Sequence, residues 1–349
     1  MKRLLSLFVI LVGLQVSAQT STSWIKSYAG KIGKTSFTML LHKAGNDYDA
    51  YVYYTSTQLP YLISAQGQKT NTITLTGTPT GSDDSEKWRL TIVGNKISGS
   101  FILNDKITAV SAQENNLQKG AAYVYTEKKT NLNVADKKSP HASFYQSGIW
   151  YSNNSLINKI LWPSYTTKTA GQHFIENKNT FFNNFKKDTK TLKPADYKDD
   201  SYMYSSESFS KLLMSYVSKN LVVFTEDNYE FNGGAHSNGV TIQKVIDLRH
   251  RKQLELKDII SDTSALTALL EKNYRRIYKV PADQSLMDYG LFTNQISSNE
   301  NFFVTSKCLG FTYNHYEIAP YAGGQITISI PYNEFKHLVT DFAKDLFVE

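Results

Sequence analysis

Alternation of apolar and polar residues, interrupted by turn residues, fills this chain from Trp24 to about Leu117. Alternation at period two predicts strands that bury one face, not helices. Gly94-Asn95, between two such stretches, is a two-residue hairpin signal. The clearest strands predicted here are Thr35–Leu41, Tyr48–Tyr54, Thr72–Gly77, Lys87–Val93 and Lys96–Leu103. Short strands joined by turns predict a small antiparallel β barrel or sandwich, and we assign residues 19–118 to this all-β domain.

A different pattern follows the all-β region. Residues 119–139 are polar and rich in Lys and Asn, which predicts a linker. Residues 140–349 then mix strand and helix patterns, which predicts an α+β domain: an antiparallel sheet with packed helices. The predicted strands are Ser143–Tyr151, Phe209–Ser218, Leu221–Phe231, Thr241–Leu248, Gln253–Leu256, Phe302–Val304, Leu309–Tyr313 and Gln325–Ile330. The predicted helices are 170–192, 263–278 with Asp262 as N-cap, and 333–347.

The N-terminus carries an export pattern. Lys2 and Arg3 precede an uncharged apolar run, Leu4 to Val16, and the small residues of Val16-Ser17-Ala18 precede Gln19. This is typical of a secretory signal peptide, assigned here to residues 1–18. Since no later run approaches about 18 apolar residues, we expect an exported, periplasmic or extracellular protein without a transmembrane anchor. The single cysteine, Cys308, is then expected to be a small buried core residue.

The formal net charge of +7 raises the question of a nucleic-acid partner. The basic excess lies in residues 119–201, which hold 13 basic and 7 acidic residues, whereas residues 202–349 hold 14 and 17. Residues 119–201 contain no arginine, the side chain that pairs bidentately with phosphates and bases. The charge therefore indicates a solvated lysine-rich face, and no nucleic-acid partner is expected.

Common catalytic and metal-binding motifs are missing from the sequence. None of the seven histidines forms an i, i+4 pair, and one cysteine cannot supply a Cys-x-x-Cys. There is also no nucleophile elbow, phosphate-binding loop or dinucleotide-binding glycine fingerprint. We therefore expect no metal and no cofactor, and we assign no catalytic residue. A carboxylate-pair enzyme, which leaves no short motif, stays open.

The first of two conspicuous segments runs from Tyr229 to Gly239. A predicted strand leads into Gly233 and Gly234, followed by Ala235 and His236. Glycines permit positive φ and close approach of other groups, so His236 is expected on a tight, exposed connection. It is either a binding or acid/base histidine, or a turn residue whose imidazole bonds a carbonyl.

The second segment runs from Tyr313 to Gly324 and is rich in tyrosine. Tyrosine offers a large contact area with a polar tip, which suits a recognition loop. The alternative is a wide connection whose tyrosines cover the sheet edge. Its candidate ligand-binding residues, added to those of the first segment, are His315, Tyr316, Glu317, Pro320, Tyr321, Gly323 and Gly324.

Several pieces of sequence, in this order, resemble the RsiV-like family. They are Gly233-Gly234-Ala235-His236, Leu254 to Ile260, Tyr316 to Gly324 and Ile330-Pro331-Tyr332. That family is defined by a DUF3298 C-terminal domain, often preceded by a DUF4163-like region. The resemblance covers roughly residues 140–349, with 140–228 as the first part and 229–349 as the part that carries the signature.

The resemblance implies an α+β fold and a cell-envelope role, without an active site in the shared region. The family includes the extracytoplasmic part of a lysozyme-sensing anti-sigma factor and an accessory module of a peptidoglycan deacetylase. Our leading hypothesis is an exported, non-catalytic binding protein for a lysozyme-like protein or a peptidoglycan strand. Two alternatives stay open: an envelope-polymer hydrolase using His236, His315 and Glu317, and a structural or scaffold protein.

Overall fold

The computed structural model describes residues 23–68, 72–117, 120–153, 155–165, 168–234 and 236–347. The predicted signal peptide, residues 1–18, lies outside the described residues. The described chain forms an N-terminal barrel followed by two sheets and several short helices. The expected α+β class, with an N-terminal antiparallel barrel and a C-terminal sheet with helices, is confirmed.

Eight antiparallel strands close into the N-terminal barrel, because the first strand pairs with both the second and the eighth. Five of them match the predicted strands, and the structure adds the first, fourth and eighth. A strand can approach another closely at Gly30, where a Cβ would lie 2.3 Å from the Ser111 carbonyl. The strands are β1 Ser23–Ile32, β2 Thr35–Ala44, β3 Asp47–Tyr54, β4 Tyr61–Ala65, β5 Thr72–Gly77, β6 Glu86–Val93, β7 Lys96–Leu103 and β8 Lys106–Glu114.

Strands β2 and β3 are buried on both faces. Their inward side chains, such as Met39 and Val52, pack in the barrel core around Trp88. Their outward side chains, such as Leu40 and Tyr53, belong to the core of the following domain. The barrel therefore packs directly against the second domain.

A six-stranded sheet follows, in the order β14-β13-β12-β11-β10-β9. All neighbouring pairs are antiparallel except β10 and β11, which are parallel and are joined by helices. The expected linker, 119–139, contains β9, which pairs with β10 along its whole length. The strands are β9 Ala121–Asn131, β10 His141–Tyr151, β11 Ser206–Val217, β12 Leu221–Phe231, β13 Asn238–Asp247 and β14 Lys252–Gln253.

The last sheet has three antiparallel strands, and helices pack on both sheets. The strands are β15 Phe302–Val304, β16 Cys308–Tyr313 and β17 Ile326–Pro331. The helices are α1 Ser155–Leu161, α2 Ala170–Asp188, α3 Pro194–Tyr197, α4 Leu256–Ile259, α5 Leu266–Tyr278 and α6 Tyr332–Phe335. As expected, Cys308 is buried, and burial raises the pKa of its thiol to about 12.

The prediction of one helix over residues 333–347 is wrong. The structure has α6, then short 3₁₀ turns at Lys336–Leu338 and Lys344–Leu346. Val339 has an extended backbone and forms an isolated antiparallel bridge with Ile260, and the Leu338 carbonyl accepts from the Ser261 amide at 2.8 Å. Pairing with another segment thus overrides the helical pattern here.

Helix α5 begins at Leu266, later than the predicted start at residue 263, and its N-cap is Ala265. Asp262 does not cap the helix as predicted. Its Oδ1 accepts from the Ser264 amide at 3.0 Å and so stabilises the turn that precedes α5. Helix α2 matches its prediction but ends at Asp188, before 192, where Thr189 donates its hydroxyl to the Phe185 carbonyl.

Candidate functional site

The two conspicuous loops meet on one surface. The ring of Tyr321 stacks against His236, with centroids 4.5 Å apart, and against His315, with centroids 4.4 Å apart. Tyr316 lies beside the same tyrosine at 5.9 Å. We call His236, His315, Tyr316 and Tyr321 the aromatic surface. Residues 85 positions apart in the chain therefore form one cluster of rings.

The first loop connects β12 to β13 and depends on its glycines. Gly233 has a φ of +80° and a Cβ there would lie 2.3 Å from the Met203 carbonyl, so no other residue fits without movement. Gly234 has a φ of +103° in open space. Ala235 lies outside the described residues, and His236 is exposed as expected.

The second loop connects β16 to β17 through two tight turns. Tyr316 has a left-handed backbone with a φ of +67°, and its amide donates to the Ala319 carbonyl at 3.1 Å. This turn leaves the Tyr316 ring 57% exposed. Pro320 then starts a 3₁₀ turn, Tyr321–Gly323, which ends at Gly324 with a φ of +68°.

Hydrogen bonds to backbone carbonyls orient the three stacked rings. The Tyr321 hydroxyl donates to the Ser237 carbonyl at 3.1 Å and so joins the two loops. The Nδ1 of His236 lies 3.1 Å from that carbonyl, and the Nδ1 of His315 lies 3.3 Å from the Gly239 carbonyl. Because a carbonyl only accepts, each Nδ1 carries hydrogen, which assigns the tautomer of the neutral ring. The sequence analysis left open that His236 is a turn residue whose imidazole bonds a carbonyl. The contact of His236 with the Ser237 carbonyl is a bond of this kind.

Side-chain amides attach the second loop to the edge of β13. The Oδ1 of Asn314 accepts from the Thr241 amide at 2.7 Å, and its Nδ2 donates to the Thr241 carbonyl at 3.1 Å. Asn301 continues the pattern, because its Oδ1 accepts from the Gln243 amide at 2.8 Å. The two asparagines thus satisfy backbone groups that a neighbouring strand would otherwise pair.

Glu317 is bound to amides and not to an imidazole. Its Oε2 accepts from Asn299 at 3.0 Å, and its Oε1 accepts from Asn314 at 3.3 Å. Within the described part of the chain, no hydrogen bond joins Glu317 to His236 or His315. The acid/base pairing that the hydrolase hypothesis requires is therefore not formed in this structure.

The sequence did not single out the asparagines that build this site. Asn314 lies inside the second conspicuous segment, yet a lone asparagine there is also an ordinary turn residue. Asn301 stands next to β15, and nothing in its local sequence indicates a partner in β13. Only the packing of the three-stranded sheet against β13 brings these amides to that edge.

Two further features bear on the class of site. Among the described residues, no group of three or more His, Cys, Asp and Glu side chains could hold a metal ion. Across the same ranges, no helix is both long and apolar enough to cross a membrane.

The fold and the surface together define a β-rich protein, a closed barrel packed on a six-stranded sheet, with rings from two loops stacked at their junction. Residues 257–333 match the family described as Protein of unknown function (DUF3298), so a DUF3298 domain occupies this part of the chain. The match confirms a DUF3298 domain within the expected signature part, 229–349, but only over residues 257–333. It includes the second loop of the aromatic surface and excludes the first.

One of the two solved structures compared has a similar fold over the part of this chain that it covers. A member of the DUF3298 family from Bacteroides fragilis is 24% identical, with a TM-score of 0.55, and the match covers 64% of this chain and 94% of that chain. A DUF3298 family protein from Pseudomonas aeruginosa is 16% identical, with a TM-score of 0.46, over 65% and 97% of the two chains. Among the curated proteins compared, none matches this chain.

Proposed function

We propose that this chain is an exported, non-catalytic cell-envelope protein that binds a basic, lysozyme-like protein through the aromatic surface. The observation that carries the proposal is the convergence of two distant loops on one cluster of rings, in which His236 and Tyr316 are exposed. The pattern of residues 1–18 supports export. The RsiV-like signature, with its preceding DUF4163-like region, supports an envelope role.

Exposed rings held in fixed positions suit a protein interface. Tyrosine and histidine rings lose little conformational freedom on binding, because few torsions remain to be ordered. The stacking and the carbonyl bonds already fix Tyr321 and both imidazoles. Tyr316, which is 57% exposed, then offers its ring as contact area to a partner.

Charge favours a basic partner over other proteins. Residues 202–349, which carry both loops, hold 14 basic and 17 acidic residues, a net charge of −3. Glu230, at the end of β12, and Glu317 are exposed on the strands and loops that form the surface. A complementary field of this sign speeds association with a basic protein.

The same geometry supports binding over hydrolysis. Both imidazoles face carbonyl oxygens through Nδ1, and the Glu317 carboxylate is bound by two amides. Side chains with these hydrogen bonds hold the loops in position. Catalysis would instead require the acid and the base to lie within hydrogen-bond distance of each other or of a shared substrate.

The test measures binding of the full mature chain to a basic muramidase and to purified peptidoglycan. We expect saturable binding to the muramidase that weakens as salt rises, because opposite charges are screened. Tyr316→Ala and Tyr321→Ala should each weaken this binding about tenfold or more, as interface aromatics do on truncation. Calorimetric titration measures the affinity.

Ile107→Ala is the control, because Ile107 is 69% exposed on the barrel hairpin and belongs to neither loop. It should bind like the parent chain. Binding to peptidoglycan alone would contradict the proposed partner. Equal loss of affinity in the control and in the tyrosine variants would contradict the proposed surface.

A further inference from the structure

The three sheets meet around a polar cavity of about 270 Å³. It is lined by barrel residues from β3 to the turn after β5, by β11, β12 and β13, and by the three-stranded sheet. Twelve of its fifteen lining residues carry a side-chain hydroxyl, amide or carboxylate. Packed layers normally meet through apolar side chains without voids, and buried polar groups require partners. A polar cavity at such a junction therefore indicates space for a ligand or for ordered water.

Asp227 is the one charged residue in this lining, all of which lies in the described part of the chain. It stands between Lys211 and Thr241 in the register of β11, β12 and β13. Thr241 donates its hydroxyl to Oδ1 of Asp227 at 2.6 Å, whereas Lys211 is held by Asp49 at 2.7 Å.

Among the described residues, Asp227 forms no ion pair of its own. Burial raises the pKa of this carboxyl more than the Thr241 hydroxyl and the charge of Lys211 lower it. A positively charged group in the cavity would stabilise the carboxylate.

Hydroxyl and amide groups beside Asp227 are oriented by hydrogen bonds to one another. Thr225 donates to Oε1 of Gln243 at 2.9 Å, and Nε2 of Gln243 donates to the Thr312 hydroxyl at 3.3 Å. Groups oriented before binding lose little entropy when a ligand arrives. The free acceptor and donor positions on these groups suit a ligand with several hydroxyls.

The size of the cavity suits a ligand of one ring. A volume of this size corresponds to roughly nine water molecules at about 30 Å³ each. Phe303 and Tyr61 add apolar faces to the lining, against which the C–H face of a saturated ring can pack. The lining thus combines a carboxylate, several hydroxyls and apolar faces in a space for a single small ring.

We propose that this cavity binds a small polyhydroxylated amine, an amino sugar of one ring, with its ammonium group on Asp227 and its hydroxyls on Thr225, Gln243 and Thr312. This site is distinct from the aromatic surface and does not depend on the function proposed for that surface.

The experiment titrates the full mature chain with glucosamine and with glucose, at a pH where the amine is charged. The two sugars share a ring and differ by an ammonium in place of one hydroxyl. Glucosamine should bind at least about tenfold more tightly, the usual effect of one hydrogen bond to a charged group. Asp227→Asn, which keeps the size of the side chain, should abolish that preference.

Glu226→Gln is the matched control, because Glu226 is the preceding residue of β12, points to the opposite face and pairs with Lys244. It should keep the preference for glucosamine. If Asp227→Asn does not fold, Thr312→Val replaces it and should weaken binding of both sugars. Equal affinity for the two sugars, no binding of either, or an Asp227→Asn variant that binds like the parent would each overturn the proposal.

Discussion

The carboxylate of Asp247 is fully buried at the turn between β13 and β14. Its Oδ2 accepts from Nη2 of Arg249 at 2.9 Å and lies 2.8 Å from Nδ1 of His250, and its Oδ1 accepts from the Arg249 amide at 2.8 Å. Burial raises the pKa of this carboxyl, but the bonds from Arg249 and His250 outweigh burial and hold the pKa at about 2. The ionised carboxylate of Asp247 thus stabilises the turn between β13 and β14.

Asp247→Asn should therefore destabilise the fold at neutral pH. A folded pKa below the unfolded value stabilises the protein above about pH 4, and this contribution is lost as pH falls toward 2. The difference between the folded and unfolded pKa of Asp247 corresponds to about 2 kcal/mol of unfolding free energy. Urea unfolding at neutral pH should show a loss of this size, and the acid sensitivity between pH 4 and 2 should flatten.

Asp345→Asn provides the comparison, because Asp345 contacts the same arginine, with Nη1 to Oδ2 at 3.3 Å, but is 79% exposed. An exposed ion pair contributes at most about 1 kcal/mol. The two variants should differ clearly, and equal effects would show that the turn does not depend on the buried carboxylate.

At the scale of elements, β13 is paired by β12 on one side, whereas on the other side β14 pairs only with its end and side chains bond its first half. Asn301 and Asn314 bond the backbone of Gln243 and Thr241, as a neighbouring strand would. His315 adds a contact to the Gly239 carbonyl. The edge is therefore covered and tied to the loop that carries the aromatic surface.

Asn301→Ala tests this edge without touching the rings. Removing the Oδ1 acceptor leaves the Gln243 amide without that partner, so it should exchange with solvent at least about tenfold faster. Hydrogen exchange read by NMR measures the rate of this amide. Asn238→Ala, at the exposed start of β13, should leave it unchanged. An unaltered rate in Asn301→Ala would show that the edge is protected by other means.

The elements differ in how far the sequence predicts them. The strand predicted over Leu221–Phe231 matches β12 in both bounds, and its first five residues form a continuous buried run. β1 and β9 escape prediction since their burial follows from barrel closure and from pairing with β10. The candidate loops are visible from their glycines and tyrosines, but the stacking of His236 and His315 on Tyr321 is a property of the tertiary fold.

At the scale of the whole molecule, the barrel is attached to the six-stranded sheet through polar contacts inside a shared apolar core. Lys211 of β11 pairs with Asp49 of β3 at 2.7 Å, and the Tyr53 hydroxyl donates to the Val217 carbonyl at 3.2 Å. His42 of β2 adds a third polar contact between barrel and sheet, to the backbone of Met214 in β11. Because these groups are buried between the two domains, we expect barrel and sheet to unfold in one transition.

His42 makes this attachment sensitive to acid. Its Nε2 accepts from the Met214 amide at 3.1 Å, beside the register shift in β11, so the bond requires the neutral imidazole. Burial lowers the pKa of His42 to about 4, although Asp49 acts in the opposite direction. Below the unfolded pKa of about 6.5 the unfolded chain binds a proton that the folded chain does not. Stability should therefore fall as pH drops from about 6.5 toward 4.

His42→Gln keeps an acceptor for the Met214 amide but cannot titrate. Between pH 7 and pH 5 the parent chain should lose about 2 kcal/mol of unfolding free energy through His42, and the variant should lack this loss. Urea unfolding at both pH values measures the difference, with exposed His337→Gln as the control that keeps the parent's pH dependence. If His42→Gln and the parent show the same dependence, the junction between barrel and sheet does not sense acid through this imidazole.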